Sequence, residues 1–348
     1  MTQESRSPIE AGGLPPAARR RLQGLGTEGA LFTSGLSVNE FSVLGRLGPR
    51  PLAQVMGASV VRPALQLLPA LTPGMNVMGG TWYAPHAPSP GAAMNRFTDA
   101  SPSQVRSYLW HAEVVCELDV LTAAWNMARQ RALDRLTEEA LHVGGDGVVG
   151  VHLHRSDHDL GRRTIEFVVT GTAVREGSRA GKVGPALTGL STQDVWRLRQ
   201  GGYDAVGLLG ASIVVFAAPA RTTRLRRVRT TRQNQELQEL SKAFHLARDT
   251  LRIRLGGQVK DAGAEGAVGV EFSHSLDREK LSLASSLSTL DSRGWRLGRF
   301  GIPYYVSGKG EADRHGWVIT MHMYGTAVRR SEQTPANDLK TAIRMGAR

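Results

Sequence analysis

Two stretches of the chain repeat an apolar residue every three or four positions, which is the period of an amphipathic helix. The first stripe consists of Leu118, Leu121, Trp125, Ala128, Ala132 and Leu136. The second consists of Leu237, Leu240, Phe244, Ala247, Leu251 and Leu255. Gly144 and Gly263 follow the two stripes, where a helix needs a left-handed C-terminal cap. We therefore predict two long helices, each buried along one face.

Alternating apolar residues predict a pair of strands after each helix. These pairs are Val148–His154 with Thr164–Val174, and Ala267–Ser273 with Trp317–Val328. Before each helix we predict one further strand and a short serine-capped helix. The segments are Ser37–Leu47 with Leu52–Val61, and Ser191–Arg199 with Ala205–Ala217. The order β-α-β-β thus occurs twice, and we expect Val149, Val151 and Leu153 to face the first long helix.

The two halves of the chain are also similar residue by residue. Glu117–Val151 aligns without a gap with Glu236–Val270, which lies 119 residues further on. Shorter matches flank this block in the same order: Gly35–Ser37 with Gly189–Ser191, Gly57–Ser59 with Gly210–Ser212, and Gly171–Arg175 with Gly325–Arg329. We predict an α+β protein of two tandem βαββ repeats, each a long helix packed on a small, mainly antiparallel sheet.

These repeats divide the chain into five parts. We predict a flexible N-terminal tail over 1–28, a first repeat over 29–176 with an insertion at 62–101, a linker over 177–187, a second repeat over 188–330 with an insertion at 276–316, and a C-terminal tail over 331–348. One helix about 10 Å wide covers only about two strands, so each repeat leaves a sheet face and strand edges bare. We expect such surfaces to pair with another copy, and Gly150 and Gly269 to permit a close approach of its backbone.

The composition limits the kinds of site and the cellular compartment that the sequence predicts. Of 348 residues, 41% are apolar, and the chain carries one cysteine, Cys116, which excludes an internal disulfide and a multi-cysteine zinc site. A reducing cytoplasmic compartment fits this composition best. The longest apolar stretch, Val206–Ala220, is shorter than the roughly 20 residues of a membrane helix, so we predict no membrane span.

The segments that follow the long helices carry a resemblance to a known family. Val143–Val151 and Gly171–Val174, together with Ala262–Val270 and Gly325–Val328, resemble the YbjQ-like proteins, also called heavy-metal-binding domains. The resemblance implies a dodecin-like βαββ fold and ring-shaped homo-oligomers. It implies no catalytic activity. The tandem arrangement and the insertions depart from the simple single-domain pentamers of that family.

The candidate metal ligands are His152, His154, His158 and Glu166. His152 and His154 are two residues apart on a predicted strand and therefore share one face. If the hairpin turns near Asp157–Gly161, Glu166 lies roughly opposite His152. Imidazole and carboxylate groups suit a divalent transition metal. The alternative is a polar sheet face that ends in a solvated hairpin, and the second repeat has Glu271 and Ser273 in place of the histidine pair.

A basic segment offers a different function. The net charge is +12, and the candidate polyanion-binding residues are Arg221, Arg224, Arg226, Arg227, Arg229 and Arg232. Such a run can neutralise the phosphates of a nucleic acid or bind an acidic partner. The alternative is a solvated approach to the following helix. No recognition motif accompanies the arginines.

Two functions from different classes follow from these patterns. The first is a non-enzymatic, ring-forming homo-oligomer that binds a metal ion or small ligand. The second is a polyanion-binding or nucleic-acid-binding module that uses Arg221–Arg232. The glycine run Gly144–Gly147 lacks the lysine and serine or threonine of a phosphate-binding loop. Because no nucleophile–base pair stands out either, we predict that the protein is not an enzyme.

Overall fold

The protein is described by a computed structural model. It describes residues 13–25, 33–47, 49–64, 113–159, 163–175, 184–220, 234–282, 294–297, 303–306 and 313–331. The helices are α1 (Pro16–Leu25), α2 (Val38–Leu47), α3 (Asp119–His142), α4 (Thr192–Gln200) and α5 (Gln238–Asp261). The strands are β1 (Arg50–Val61), β2 (Val114–Glu117), β3 (Gly147–Asp159), β4 (Arg163–Arg175), β5 (Ala186–Leu187), β6 (Tyr203–Ala218), β7 (Gly266–Ser282), β8 (Gly294–Leu297), β9 (Pro303–Val306) and β10 (Asp313–Arg330). The predicted α+β class is confirmed.

The long strands form two four-stranded sheets. The first sheet has the order β1-β4-β3-β5 and the second β2-β6-β10-β7, while β8 and β9 pair separately. All these pairs are antiparallel except β3 with β5. We call β1, α3, β3 and β4 the first unit, and β6, α5, β7 and β10 the second unit. In each unit the strand that comes last in the sequence, β4 or β10, lies between the other two.

The four layers alternate between sheet and helix. One face of α3 packs on the first sheet, with Leu136, Ile165 and Phe167 fully buried, and the same core cluster includes Val214 and Phe216 of the second sheet. Helix α3 therefore lies between the two sheets. Helix α5 covers the opposite face of the second sheet. The predicted alternation of β10 is confirmed, since Ile319, Met321 and Met323 belong to that outer cluster and His322 points to the other side.

A bulge in each unit changes the alternation that the sequence predicts. Gly150 has φ 61° and Gly269 φ 59°, a conformation that favours glycine. The pairing of β3 with β4 shifts between Val149 and His152. As a result Val151 enters the main core, whereas Val149 packs in a separate cluster. The prediction that Val149 and Val151 share a face was wrong, and the two glycines shape their own strands.

The N-terminal region contains more structure than a flexible tail. Within 1–28, helix α1 buries Leu22, and Leu14 just before it is also buried. Arg21 pairs with the carboxylate of Glu139 on α3. The prediction of a flexible tail is therefore wrong for this helix. The predicted linker 177–187 likewise ends in β5, whose two residues pair with β3.

The insertions differ in how far the structure reaches them. Strand β7 continues to Ser282 and pairs there with Asp313 of β10, so both ends of the predicted insertion 276–316 extend the hairpin. The short strands β8 and β9 also lie within it. Of the insertion 62–101, only residues 62–64 fall within the described ranges.

The segments that enter the two units make the same contacts. Ser34 and Thr188 each place a side-chain oxygen near a threonine of the central strand, at 3.3 Å from Thr172 and 3.2 Å from Thr326. The following amides, of Gly35 and Gly189, donate to the same threonine oxygens. These pairs lie 154 residues apart in the sequence.

The first strands of the two units follow the same spacing. Glu139 accepts a hydrogen bond from the amide of Met56, and Gln258, 119 residues later, bonds the backbone of Gly210. Met56 therefore corresponds to Gly210. The match of Gly57–Ser59 with Gly210–Ser212 is displaced by one residue, because a short motif rich in small residues aligns almost equally well in two registers.

Candidate functional site

The junction of the two units is formed by segments that each unit places on the other's sheet. Strand β5 and the residues after it extend the first sheet beyond β3. The amide of Val151 donates to the carbonyl of Thr188 at 2.9 Å, and the amide of Thr188 donates to Val148 at 3.0 Å. The amide of Gly150 donates to Leu190 at 3.2 Å. The edge of β3 is thereby closed by the second unit.

The first unit closes an edge of the second sheet in return. Strand β2 pairs with β6, and the backbone amide of Leu118 continues the ladder at 2.8 Å from the carbonyl of Val214. Beyond Leu118, side chains of helix α3 take over from β2 and bond the backbone of β6. Thr122 Oγ1 accepts from the amide of Val214 at 2.9 Å, and the Asn126 amide group bonds both backbone groups of Ser212. Buried backbone groups on an edge must be satisfied in this way.

Two ion pairs attach β2 to helix α5. Lys242 lies 2.9 Å from Glu113, and Arg254 lies 2.8 Å from Glu117. All four side chains are partly exposed, so the two pairs together contribute about 1 kcal/mol. Their effect is mainly to fix where the strand lies on the second unit.

A polar cluster is buried where α3 meets the second sheet. Arg129 is 7% exposed and reaches Ser212 Oγ at 3.5 Å. His322 Nδ1 lies 2.9 Å from the same hydroxyl, and its ring contacts the Trp125 ring edge-on at a centroid distance of 4.8 Å. Tyr324 stacks beside His322 at 6.2 Å. Several polar groups are thus enclosed between the units.

The surroundings decide the charge of His322. Burial is the main reason that its pKa falls from 6.5 to about 3, and the charges of Arg155 and Arg129 contribute to the same decrease. Burial also lowers the pKa of Arg129. His322 is therefore neutral at physiological pH, which suits a hydrogen bond to a hydroxyl but not proton transfer near pH 7.

Acidification should weaken the fold through His322. The folded protein binds this proton only near pH 3, whereas the unfolded chain binds it near pH 6.5, so its contribution is complete above pH 6.5 and falls as the pH is lowered. Between pH 7.5 and pH 5 we expect the wild type to lose about 2 kcal/mol more unfolding free energy than the His322→Gln variant. Urea titrations at both pH values measure this difference. Equal losses would show that His322 does not carry the dependence.

The sequence reasoning missed this face of α3. Thr122, Asn126 and Arg129 are polar residues at helical spacing beside the apolar stripe. That spacing was the available signal for a second buried face. Such residues predict a solvent-exposed face, because polar residues on an amphipathic helix usually face solvent.

The groove between α3 and β3 is filled in the first unit, whereas the equivalent groove between α5 and β7 is open in the second unit. In the first unit, Val151 is 3% exposed and shares its core cluster with Tyr324 and Leu208 of the second unit. The equivalent residue of the second unit, Val270, is 47% exposed, and Phe272 beside it is also 47% exposed. Ile253 on α5 is exposed too. We call Val270, Phe272 and Ile253 with the edge of β7 the open groove.

The face of the first sheet that points away from α3 is covered at one end, where Leu44 of α2 packs with Val149 and Val174, but no described residue covers the part that carries Met56 and Val60. The equivalent face of the second sheet is the one that packs against α3. On the first sheet, Met56 is 40% and Val60 63% exposed. Val168 on β4 lies on the same face and is partly buried. We call Met56, Val60 and Val168 the open face.

The candidate metal ligands lie around the open face. His152 and His154 are both exposed on it. The register pairs His152 with Thr170, and Glu166 with Ser156, so the prediction that Glu166 lies opposite His152 was wrong. The strands extend further before turning than the short predicted strands do. The backbone of His158 lies on β3, and within the described ranges no group of three or more potential ligands gathers to hold a metal.

The candidate polyanion-binding arginines remain a sequence-based prediction. Arg221, Arg224, Arg226, Arg227, Arg229 and Arg232 lie outside the described residues.

Cys116 lies on β2, just before α3, and is buried. Burial raises the pKa of its thiol to about 12, with the charges of Asp119 and Glu117 acting in the same direction. A thiol with such a pKa is a poor nucleophile near neutral pH. A cleft between α3 and α5 is lined by Arg129, Gln130, Leu133, Leu208, Leu209, Gly210, Gln258, Asp261 and Ala262. That lining contains no nucleophile paired with a base.

Comparison with known protein families matches the part of the first unit that contains α3, β3 and β4. Residues 112–176 match the model of the YbjQ family, described as "Putative heavy-metal-binding". This segment is therefore similar to the YbjQ-like proteins. The resemblance predicted from the sequence is confirmed there.

One curated relative aligns over most of the chain. The protein is 29% identical over 270 residues to Encapsulin nanocompartment protein Rv1762c of Mycobacterium tuberculosis (strain ATCC 25618 / H37Rv), covering 76% of this chain and 85% of the relative. No solved structure matches significantly. Among the helices of the described ranges, none is long and apolar enough to cross a membrane.

Proposed function

We propose that the protein is a non-enzymatic homo-oligomer whose chains join head to tail into a ring. The observation that carries this proposal is the pair of open surfaces. Inside the chain, the groove of the first unit is filled by a sheet face of the second unit. The open groove and the open face are the equivalent surfaces of the opposite units, and among the residues that the structure describes neither has a partner.

The geometry of such a contact determines the kind of assembly. A groove that binds a different surface makes a heterologous contact, and repetition of that contact gives a closed ring or an open filament. A ring satisfies both surfaces of every chain. Each ring would alternate the junction within a chain with an equivalent junction between chains.

The exposed apolar area supports a protein partner. Val270 and Phe272 are neighbours on the same face of one strand, and both are about half exposed. Large apolar groups clustered on a surface mark interaction sites more often than scattered ones do. The open face presents Met56 and Val60, which are apolar as well.

The proposal includes a tandem origin for the chain. The family model covers 112–176, and we propose that 188–330 forms a second YbjQ-like unit with the first at 29–176. Support comes from the matching strand orders, the paired glycine bulges, and the hydrogen bonds of Thr172 and Thr326. The name of the relative, which refers to a nanocompartment, supports participation in a protein assembly.

We further propose that the assembly is cytoplasmic, because the chain has a single free cysteine, Cys116, and therefore no disulfide of its own.

Metal binding, where it occurs, should depend on the first unit. His152 and His154 stand on one exposed face, and the second unit has Glu271 and Ser273 in their place. We expect a titration with Zn²⁺ or Ni²⁺ to show that the wild type binds the ion and that the His152→Ala/His154→Ala variant has at least tenfold lower affinity for it. A Glu271→Ala variant serves as the control. Unchanged binding in the double variant would remove this site.

The native mass tests the assembly. Light scattering of the purified protein should give a monodisperse mass that is a multiple of the 37.6 kDa chain at micromolar concentration. Electron microscopy should then show closed particles. A monodisperse single chain would contradict the proposal, and open fibres would contradict ring closure.

A further inference from the structure

We infer that the segment 33–36 of one chain adds as a short parallel strand to the free edge of β7 in the next chain. This inference rests on the proposed head-to-tail assembly and names the backbone contact that forms it. The partner is a second copy of this chain. The contact is the equivalent, between chains, of the one that β5 and residues 188–190 make on β3 within a chain.

The contact within the chain supplies the geometry. Thr188 donates to the carbonyl of Val148 and accepts from the amide of Val151, and Leu190 accepts from Gly150. The bulge at Gly150 turns that amide outward toward the added segment. Parallel strand addition of this kind gains both backbone hydrogen bonds and a closed sheet edge.

The free edge of β7 has the same shape. Ala267, Gly269 and Val270 lie 119 residues after Val148, Gly150 and Val151. Gly269 has φ 59°, against 61° for Gly150, so the two bulges match. In the described ranges β7 pairs only with β10. Gly269 and Val270 are exposed, whereas Val151 is buried beneath the second unit.

The donor segment is already held in the required conformation. Ser34 and Gly35 bond Thr172 as Thr188 and Gly189 bond Thr326. The amide of Leu36 donates to Ser34 Oγ at 3.0 Å, and that of Leu190 donates to Thr188 Oγ1 at 3.1 Å. A segment fixed before binding loses little conformational entropy when it pairs.

The donor must come from another chain. The carbonyl of Thr33 accepts from the amide of Gln54 at 2.8 Å, which holds the segment on the first sheet. Residues 188–190 are likewise held on the second sheet through Thr326, and they project onto β3 of the first unit. By the same geometry, residues 33–36 project away from their own unit onto the β7 of a neighbouring chain.

Cysteine cross-linking can detect this pairing directly. Val148 and Leu187 are register partners within the chain, and the equivalent positions between chains are Ala267 and Thr33. Neighbouring strands lie about 4.8 Å apart, within the reach of a disulfide. The native Cys116 is 1% exposed and does not contribute to cross-linking.

The Thr33→Cys/Ala267→Cys variant, oxidised in its native state, should give a ladder of linked chains on a non-reducing denaturing gel. A mixture of the two single variants should give linked pairs but no longer ladder, and each single variant alone should give none. The Val148→Cys/Leu187→Cys variant is the matched control and should lose two free thiols without linking chains.

The outcomes separate this inference from the proposed function. A ladder at the native mass of the assembly supports both. An assembly of normal mass that gives no ladder, while the control pair oxidises, would overturn the strand pairing and leave the assembly standing. A single-chain native mass would contradict the assembly itself.

Discussion

Replacing Phe272 with aspartate should reduce the native mass of the assembly to that of a single chain. Phe272 is 47% exposed within one chain, so the fold of the monomer does not depend on burying it. In the assembled state it would lie in the open groove beneath another chain. A carboxylate enclosed there without a partner should cost about 3 kcal/mol per contact, which weakens the contact roughly 150-fold.

Met127 provides the matched control for this prediction. It is 46% exposed on α3, but it lies outside both open surfaces. Met127→Asp should leave the native mass unchanged. Circular dichroism should confirm that both variants keep the wild-type fold. If Phe272→Asp retains the full mass, the open groove is not where chains meet.

The elements that the sequence predicted well are those whose pattern is set by their own layer. The stripes of α3 and α5 face the sheet beneath them, and Leu136 and Leu251 are fully buried as expected. Helical period and burial then carry the same information. The order of strands and helices followed from these patterns without knowledge of the partner layer.

The misses concern contacts between distant parts of the chain. Strand β2 is four residues long and exists because β6 offers it an edge. Arg129 is buried only because the second sheet lies over it. Nothing in the local sequence encodes either neighbour, so pattern reasoning treats such residues as solvent-exposed.

The candidate metal site shows how register limits a prediction. Two histidines on one strand share a face whatever the pairing, and the structure confirms this for His152 and His154. The position of Glu166 depends on where the hairpin turns. The hairpin is longer than predicted, and Glu166 therefore lies opposite Ser156. A displacement of a few residues separates ligands that a metal must hold within about 2 Å of itself.

Gly57→Ala should destabilise the first unit by about 3 kcal/mol or more. Gly57 lies on β1 against helix α3, and a methyl group there would come within 2.7 Å of the amide nitrogen of Leu136 and still closer to the carbonyl oxygen of Ala132. Both are backbone atoms inside a helix, which cannot move aside as a side chain can. The helix must lift from the sheet, and the tightly packed core between them opens.

A second glycine tests whether this cost comes from the helix contact. Gly256 lies within α5, and a methyl group there would meet no atom within 4 Å. Gly256→Ala should stabilise the protein by about 1 kcal/mol, because alanine favours the helix and restricts the unfolded chain. Urea unfolding of both variants gives changes of opposite sign if α3 rests on β1 at Gly57. If Gly57→Ala leaves the free energy of unfolding unchanged, α3 does not approach β1 this closely at Gly57, and the gap between the helix and the first sheet is wider.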